Sequence, residues 1–557
     1  MAAAQGETSP SVRYDATGVT DRDELPTYPS RPSYKEFHSA LSQDTMCVVF
    51  EGAPHDPHKP ASVPIYQTAT FVQPSASEFG SYDYTRSGNP TRTALEKHVA
   101  MLEGAHTAFA FGSGMAALAA VTRLLRAGDE LLVGEDIYGG MHRLVSRVTS
   151  ALHGIVVRFV DTTDLGAVEA ALTPRTRMLH FETPSNPLMR ISDIRGLHRL
   201  LAPRGVLLSI DSTMMSPILQ RPLGLGADIV VHSATKFFGG HSDVMGGLVC
   251  LKDEDLSKRI AFFQNAEGNG LDPNSCWLFL RGIKTLALRV ERAQASAGRV
   301  AAYLASHALI KDVYYPGHSS GGSGGARGSS GAAAAAEAAL HASQASGAGC
   351  VLSFTTGNMA ISRRIIDALR IFKLTVSFGS VSSLCEMPCF LSHASIPAHL
   401  RKLPDDLIRL SVGIENPVDL LHDLEQALEL AVHPHVTNVR SVRRRDTADA
   451  AALEGLGAGG EGGGGGGGSS APSASPPETP SHREDVVQVA RAECVRLQAS
   501  NAELRERLAQ AQATLDVWAA ARQSVWGAPL QGALAAAAAV ALGVLAGGYL
   551  ARAGSRR

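Results

Sequence analysis

The stretch that decides the fold is residues 228–241, which read Asp-Ile-Val-Val-His-Ser-Ala-Thr-Lys-Phe-Phe-Gly-Gly-His. Its apolar start, residues 228–231, predicts a buried strand, and Ser233-Ala-Thr-Lys236 follows directly after it. Burial makes a lysine more nucleophilic, so Lys236 is placed to form an imine with an aldehyde cofactor. The hydroxyls of Ser233 and Thr235 suit a phosphate. The alternative for this tetrapeptide alone is a solvated lysine at a strand end.

The segments before this stretch alternate between strand and helix patterns. Short apolar runs at 130–133, 178–181 and 206–210 read as buried strands, and residues 92–102 and 115–125 read as helices between them. Alternation of this kind predicts an α/β domain with a mostly parallel sheet.

Composition narrows the class of protein. The 557 residues carry 51 Lys plus Arg and 53 Asp plus Glu, a formal net charge of −2, which excludes a strongly basic nucleic-acid binder. A hydrophobic share of 45% is close to the usual globular value and predicts a sizeable core. The 7 cysteines include no CxxC spacing, Cys385 and Cys389 being too far apart, so we expect a reducing compartment and no disulfide scaffold or zinc motif.

The ends and one internal segment differ from the rest of the chain. Residues 1–36 contain no secretory apolar run and are predicted to be a disordered arm; their acidic residues argue against the alternative, a transit peptide. Residues 37–432 have a globular pattern, interrupted by the Gly-, Ser- and Ala-rich segment 317–347, which we interpret as an expanded, low-complexity surface loop. The glycine run within residues 440–484 predicts a disordered linker.

Two helical segments are predicted after the linker. Residues 485–520 place a stripe from Val487 to Trp518 at alternating steps of three and four, which predicts a coiled-coil helix in which Asn501 sets the register. The alternative is a single amphipathic helix without a partner. Residues 528–550 have no charge and are long enough to cross a bilayer, which predicts a transmembrane tail. The alternative there is a buried alanine-rich helix.

Two further motifs suit a phosphorylated ring cofactor. Gly112-Ser-Gly-Met115 follows an apolar run and opens a helix, where free backbone N–H groups and the helix dipole favour a phosphate. The alternative is a glycine-rich turn. Asp211 ends a buried strand, where a carboxylate can pair with a pyridinium nitrogen and keep the ring an electron sink. The alternative is an Asp that caps the following turn.

Three more candidates lie apart in the sequence. Arg86, in Tyr84-Thr-Arg86-Ser-Gly-Asn-Pro-Thr91, has a fork of donors suited to phosphate. Tyr138 follows a strand and can stack on a flat cofactor. Arg409 lies within an alternating strand, where its burial requires a carboxylate partner unless the strand turns it outward to the surface.

In their joint order these motifs resemble the fold-type I pyridoxal-phosphate enzymes of Cys and Met metabolism, the cystathionine lyase and synthase family. The likeness covers about residues 37–432. It is carried by Tyr84-x-Arg86-Ser-Gly-Asn-Pro-Thr, Ser113-Gly-Met-Ala, Glu182-Thr-Pro-Ser-Asn-Pro187, Asp211, Ser-Ala-Thr-Lys236 and Arg409-Leu-Ser-Val-Gly. The finer likeness is to the plant-type cystathionine β-lyase branch, because the γ-lyase branch usually has Glu where Val376 stands and Leu where Phe378 stands.

The resemblance implies an architecture and an assembly. It implies a large domain, residues 96–296, with a mixed, mostly parallel sheet that binds the cofactor. A smaller C-terminal α/β domain, residues 297–432, follows, and an N-terminal arm, residues 37–95, reaches the neighbouring subunit's site. The resemblance also implies a dimer of dimers, so a homotetramer is expected.

The resemblance also implies roles for residues. Lys236 would bind the cofactor and move protons, and Tyr138 would stack on its ring and assist proton transfer. The cofactor-binding set is Tyr84 and Arg86 from the neighbouring subunit, with Gly114, Met115, Tyr138, Asn186, Asp211, Thr213, Ser233, Thr235 and Lys236. Arg409, with Asn186 and Ser377, would hold the substrate α-carboxylate. One departure is Ser212, which stands where the family usually has Asn.

The implied activity is that of a carbon–sulfur lyase. It would cleave L-cystathionine by β-elimination to homocysteine, pyruvate and ammonia, a step before methionine. The alternatives within the family are a cystathionine γ-lyase, a cystathionine γ-synthase, a methionine γ-lyase or a broad cysteine-conjugate lyase. An alternative of another class is a membrane-tethered interaction protein with the enzyme domain as cargo. The expected location is the cytoplasm or a plastid, with tethering through the C-terminal tail as a further hypothesis.

Overall fold

The computed structural model describes residues 41–50, 56, 58–316, 331–394 and 401–432. The predicted disordered arm, linker, heptad helix and transmembrane tail lie outside these residues, at 1–36, 440–484, 485–520 and 528–550. Across the described ranges, no helix combines the length and the apolar character that crossing a bilayer requires.

Twelve strands are described, and they form two sheets. In chain order they are β1 Thr107–Phe111, β2 Glu130–Gly134, β3 Val156–Val160, β4 Thr176–Glu182, β5 Leu207–Asp211, β6 Ile229–Ser233, β7 Gly247–Leu251, β8 Asp312–Tyr314, β9 Val351–Thr355, β10 Lys373–Leu374, β11 Leu384–Glu386 and β12 Ile408–Ser411.

The α-helices of the described ranges surround these sheets. They are α1 Gln43–Val48, α2 Pro90–Glu103, α3 Gly114–Thr122, α4 Gly139–Leu144, α5 Ser150–His153, α6 Leu165–Ala171, α7 Ile194–Leu201, α8 Ser216–Leu219, α9 Pro222–Leu225, α10 Glu254–Glu267, α11 Pro273–Ile283, α12 Leu286–Ser306, α13 Gly331–Gln344, α14 Met359–Ala368 and α15 Pro417–Val432. A π-helical turn, Val145–Thr149, joins α4 to α5, and a 3-10 turn, Ala202–Arg204, follows α7.

The larger sheet has seven strands in the order β1-β7-β6-β5-β4-β2-β3. Strands β3, β2, β4, β5 and β6 run parallel, and β7 pairs antiparallel with both β6 and β1. The α/β fold with a mostly parallel sheet that the sequence predicted is therefore confirmed. Its strands β2 and β7 are mainly apolar and fully buried because helices cover both faces, so alternate residues such as Leu131 and Leu132 enter two different clusters of the core.

The smaller sheet has five strands in the order β10-β11-β12-β9-β8. Strand β10 is parallel to β11, and the other pairs are antiparallel. It has its own buried core, in which Phe354 and Phe372 meet apolar residues of α15 such as Leu424. This sheet matters to the site because β12 carries Arg409.

The low-complexity segment is not a loop throughout. Residues 331–344 form α13, so the prediction of an expanded surface loop over 317–347 is wrong for this part. Alanine is the residue with the highest helix propensity, and the end of this helix also has a docking partner. Gln344 is buried and its Nε2 donates to the backbone oxygen of Ser192 at 2.9 Å. The composition of this segment shows that it has few large apolar side chains, but it does not show the hydrogen bond from Gln344 to Ser192.

Candidate active site

Three polar side chains lie where neighbouring parallel strands end. Glu182 ends β4 and is the register partner of Asp211, which ends β5; Ser233 ends β6. In open α/β sheets, ligands bind outside the carboxyl ends of the strands. The sheet therefore gathers two carboxyl groups and a hydroxyl at the edge where a ligand is expected.

Lys236 lies in the turn after β6 and its amino group points to the smaller sheet. Its Nζ donates to Ser377 Oγ at 2.6 Å and lies 5.1 Å from the centre of the Phe378 ring. Burial lowers the pKa of Lys236 to about 8, and the positive charge of Arg409 adds to this effect. The neutral, nucleophilic form of the amine is therefore a much larger fraction near neutral pH than for an ordinary lysine.

The start of α3 meets the end of β6 closely. Ser113 caps the helix by accepting from the Ala116 N–H at 3.1 Å. A Cβ on Gly114 would lie 3.0 Å from Ser233 Oγ, and a Cβ on Gly247 would lie 2.2 Å from the Ser113 backbone oxygen. Glycine at these two positions keeps the first N–H groups of the helix next to the Ser233 hydroxyl, an arrangement suited to an anion.

Thr213 and Thr235, both sequence candidates, make defined contacts. Thr213 Oγ1 accepts from the Ser233 N–H at 2.8 Å and donates to Asp211 Oδ1 at 2.5 Å. Thr235 Oγ1 donates to the Gly246 backbone oxygen at 3.2 Å and accepts from the Gly246 N–H at 3.1 Å. Thr213 thus joins the ends of β5 and β6, whereas the Thr235 side chain closes the loop before β7.

The two carboxyl groups at the strand ends are unequal. Asp211 also accepts from the Thr213 N–H at 2.9 Å; burial raises its pKa, and these hydrogen bonds oppose the rise. The pKa of Glu182 lies well above its ordinary value because of burial and the nearby Asp211 charge. Of the pair, Asp211 is therefore the carboxyl group that ionises first and is able to face a cation.

Tyr138 stands at the start of α4 beside this pair. Its backbone N–H donates to Glu182 Oε1 at 2.9 Å. A Cβ on Gly140 would lie 2.3 Å from the Tyr138 ring and 3.0 Å from Met115 Sδ, so the ring, the glycine and the methionine are in close contact. The Tyr138 side chain is partly exposed. It therefore offers an aromatic face beside the start of α3.

Arg409 is buried rather than turned outward to the surface, and its carboxylate partner belongs to the chain itself. Its Nη1 forms a salt bridge with Glu386 Oε1 at 2.7 Å and donates to Asn186 Oδ1 at 3.0 Å. Its Nη2 donates to the Ser377 backbone oxygen at 2.6 Å. Within the described residues, Arg409 Nε is buried and has no hydrogen-bond partner. Ser377 holds its position with a positive φ of 102°, a strained conformation for a residue other than glycine.

Tyr84 and Arg86 are not joined to this group. The Arg86 guanidinium lies 5.1 Å from the Tyr84 ring centre, and its Nε donates to Asn265 Oδ1 at 3.1 Å. Tyr84 is 41% exposed. Among the described contacts of this single chain, none links either residue to Lys236.

Sequence reasoning missed Glu386, Ser392 and His393 as parts of the site. A signal was present for Glu386, because an acid within the apolar run 384–387 has the same need for a buried partner as Arg409 in its own strand. Ser392 and His393 carried no such signal. Ser392 contacts Glu386 and His393 contacts Ser392 because of the turn after β11, which periodicity does not report.

Comparison with known proteins gives one consistent family. Residues 44–429 match the sequence profile described as Cys/Met metabolism PLP-dependent enzyme. The chain is 51% identical over 383 residues to "Cystathionine beta-lyase, chloroplastic" of Arabidopsis thaliana, covering 67% of this chain and 78% of that protein. It is 52% identical over 379 residues to the protein of the same name from Mimosa pudica, with 67% and 79% covered.

A solved structure agrees. The crystal structure of cystathionine γ-lyase from Lactobacillus plantarum complexed with L-serine superimposes with a TM-score of 0.66 and 39% identity, covering 70% of this chain and 99% of that one.

The site fits the cofactor that this family uses, pyridoxal 5′-phosphate. Lys236 offers an amine of lowered pKa to an aldehyde, and Asp211 offers a buried carboxyl group to a ring nitrogen. The glycine-lined space between the start of α3 and Ser233 admits no side chain, as a phosphate site requires. The pattern of residues, the fold and the profile over residues 44–429 agree, and the chain belongs to the Cys/Met metabolism PLP-dependent enzyme family.

Proposed function

We propose that this protein is a carbon–sulfur lyase that cleaves L-cystathionine by β-elimination to homocysteine, pyruvate and ammonia, a step in methionine biosynthesis. The observation that carries the proposal is the pairing of an amine of lowered pKa, Lys236, with a buried arginine, Arg409, that keeps an unpartnered N–H. The identity of about half with two plant cystathionine β-lyases supports the choice of substrate.

The cofactor residues divide by the part of the group that they would hold. The N–H groups of Gly114 and Met115 with the hydroxyl of Ser233 suit the phosphate, and Thr235 shapes the loop beside them. Asp211, oriented by Thr213, suits the ring nitrogen, Tyr138 suits the ring face, and Asn186 suits the ring hydroxyl. When bound, pyridoxal phosphate acts as an electron sink for the substrate carbons. Lys236 Nζ then takes the proton from the substrate Cα, because it is the basic group next to Arg409.

The substrate carboxylate would meet Arg409 at the nitrogen that the protein leaves free. A guanidinium has five N–H donors; the chain accepts one hydrogen bond from Nη1 and one from Nη2, and Glu386 Oε1 lies 2.7 Å from Nη1 in a salt bridge. The Nε donor and the second Nη2 donor remain, which suits a carboxylate that binds with both oxygens. Ser377 adds a hydroxyl between Arg409 and Lys236, so the carboxylate and the reacting amine are placed side by side.

The lowered pKa of Lys236 predicts how cofactor uptake depends on pH. Only the neutral amine attacks an aldehyde, so the rate should rise about tenfold per pH unit below the pKa and level off above about 8. Apoprotein mixed with pyridoxal phosphate in a stopped-flow spectrometer at pH 6 to 10 would measure it. A rate that still climbs at pH 10 would contradict the burial of this amine.

The products of cystathionine cleavage test the proposed activity. The purified full-length protein should release pyruvate and a free thiol, and no 2-oxobutyrate. γ-Elimination breaks the other carbon–sulfur bond and gives 2-oxobutyrate, so this product would move the assignment to the γ-lyase alternative. That alternative rests on a solved γ-lyase structure that shares the fold. Release of neither keto acid would contradict the choice of cystathionine.

The assembly and location are proposed on separate grounds. Tyr84 and Arg86 contact Asn265 and each other rather than Lys236, which supports their service to a neighbouring subunit and a homotetramer. A plastid or cytoplasmic location is supported by the two relatives named as chloroplastic. Tethering through the heptad helix and residues 528–550 stays a prediction; full-length protein found only in the soluble fraction would contradict it.

A further inference from the structure

Arg409 and four other residues form a closed ring of contacts. Arg409 Nη1 contacts Glu386 Oε1 at 2.7 Å and Asn186 Oδ1 at 3.0 Å. Ser392 Oγ contacts the same Glu386 oxygen at 2.6 Å and His393 Nδ1 at 2.9 Å, and His393 Nε2 contacts the Asn186 backbone oxygen at 3.2 Å. The ring joins the turn after β4 to β11 and β12, so it spans both sheets.

Glu386 is the anionic member of the ring and lies directly opposite Arg409 in the antiparallel pair of β11 and β12. Side chains directly opposite each other across antiparallel strands are in contact range, so the backbone register itself brings the two charges together. Both side chains are at most 3% exposed. A buried guanidinium without a counter-charge would be costly, so Glu386 offsets the charge of Arg409 before any ligand arrives.

The ring also decides which donors of Arg409 remain free. Glu386 forms its salt bridge with Nη1, Asn186 accepts a hydrogen bond from Nη1, and the Ser377 backbone oxygen accepts one from Nη2. The guanidinium is planar, so fixing Nη1 and Nη2 also fixes the direction of Nε. Nε–H is therefore held in one orientation although it has no partner of its own among the described residues.

We infer that Glu386, supported by Ser392, is a positioning residue that orients Arg409 and thereby gives the site its selectivity for ligands with an α-carboxylate. The inference rests on the proposed role of Arg409 and extends it to a residue that touches neither substrate nor cofactor in the arrangement proposed here. Without Glu386 only the neutral acceptors Asn186 Oδ1 and the Ser377 backbone oxygen would hold the guanidinium. Its orientation would be less fixed, and its preference for a carboxylate would fall.

The test compares two ligands that differ only in the carboxylate. Full-length holoenzyme is titrated with L-alanine and with ethylamine while the cofactor absorbance is followed; neither ligand has a leaving group at Cβ. The ratio of the two dissociation constants measures carboxylate recognition alone. In Glu386→Ala this ratio should fall on the order of 10- to 100-fold, by analogy with the loss found when a group that orients a metal-binding side chain is removed. Glu386→Gln keeps an acceptor oxygen, so its ratio should lie between those of Glu386→Ala and the wild-type protein.

A matched control separates positioning from a general loss of structure. Glu103 is another buried acid with a short contact, 2.6 Å to His232 Nε2, but it does not contact Arg409. Glu103→Gln should leave the ratio at the wild-type value. Weaker binding of both ligands by the same factor in Glu386→Ala and Glu386→Gln would overturn the inference, as would a wild-type protein that binds both ligands equally.

The outcome is independent of which thioether the enzyme cleaves. Wild-type protein that forms no pyruvate from cystathionine, but whose carboxylate preference is lost in Glu386→Ala, would refute the proposed substrate and support the positioning role. Wild-type protein that forms pyruvate, with an unchanged preference in both Glu386 variants, would do the reverse.

Discussion

Replacing Lys236 with alanine should reduce cystathionine cleavage by at least about 10³-fold. In the role proposed for it, the side chain supplies both the nucleophile for the cofactor aldehyde and the base for the substrate Cα, and a positioned base alone contributes about 10²- to 10⁴-fold. No other amine contacts Ser377 in the described part of the chain, so no neighbour can take its place. Steady-state pyruvate release would measure the loss, and the absorbance of the bound cofactor should change because the covalent link is gone.

The control for this variant is Lys252→Ala. The Lys252 Nζ donates to the Leu223 backbone oxygen at 2.8 Å, away from the strand ends that form the site. Its removal should leave pyruvate release within about twofold of wild type, since surface changes are usually mild. A Lys236→Ala protein that retains a tenth of wild-type activity would contradict the role given to this lysine.

Replacing Arg409 with alanine should harm both affinity and stability. Under the proposed role of Arg409 the substrate carboxylate loses its partner, so KM should rise by about 100-fold or more. Glu386 becomes a buried charge without a partner, and removal of one member of a buried pair costs about 3–5 kcal/mol. Denaturant unfolding of the apoprotein measures the stability change, and initial rates over a range of cystathionine concentrations measure KM.

The double variant Arg409→Ala with Glu386→Ala tests the reason for the stability loss. It should be less destabilised than the sum of the two single variants, because neither charge is then left alone. Arg292→Ala serves as the control, since Arg292 makes one long contact to the Glu415 backbone oxygen at 3.4 Å and its removal should be almost neutral. Additive effects in the double variant would contradict the pairing of the two buried charges.

The sequence predicted those parts of the site that lie at the ends of apolar runs. Asp211 and Lys236 follow buried strands, and the carboxyl ends of parallel strands meet at one edge, so their proximity follows from local pattern and general topology. Burial of Arg409 with a carboxylate partner was one of the two alternatives that its alternating strand left open. In each case the physical signal is contained in a few consecutive residues.

The parts that the sequence did not predict depend on pairing between distant segments. Glu386 and Arg409 face each other because β11 and β12 are in one particular register, and a shift by one residue would send them to opposite faces. The ionisation order of Glu182 and Asp211 depends on burial, on the charge of Asp211 near Glu182, and on the hydrogen bonds that Thr213 donates to Asp211. The helix at residues 331–344 needed the anchor of Gln344 on Ser192, a partner that lies more than a hundred residues earlier.

The site is built across the boundary between the two sheets, with Lys236 on one side and Ser377 and Arg409 on the other. The contact of Lys236 with Ser377 and that of Arg409 with Asn186 cross this boundary. Any ligand that contacts both sides adds a further connection across this boundary. By thermodynamic linkage, a ligand that binds both halves stabilises their association, and a change that stabilises their association strengthens ligand binding by the same free energy. Heat, denaturant and a bound inhibitor then all shift the same equilibrium between folded and unfolded protein. The melting temperature measured against ligand concentration would therefore report ligand affinity.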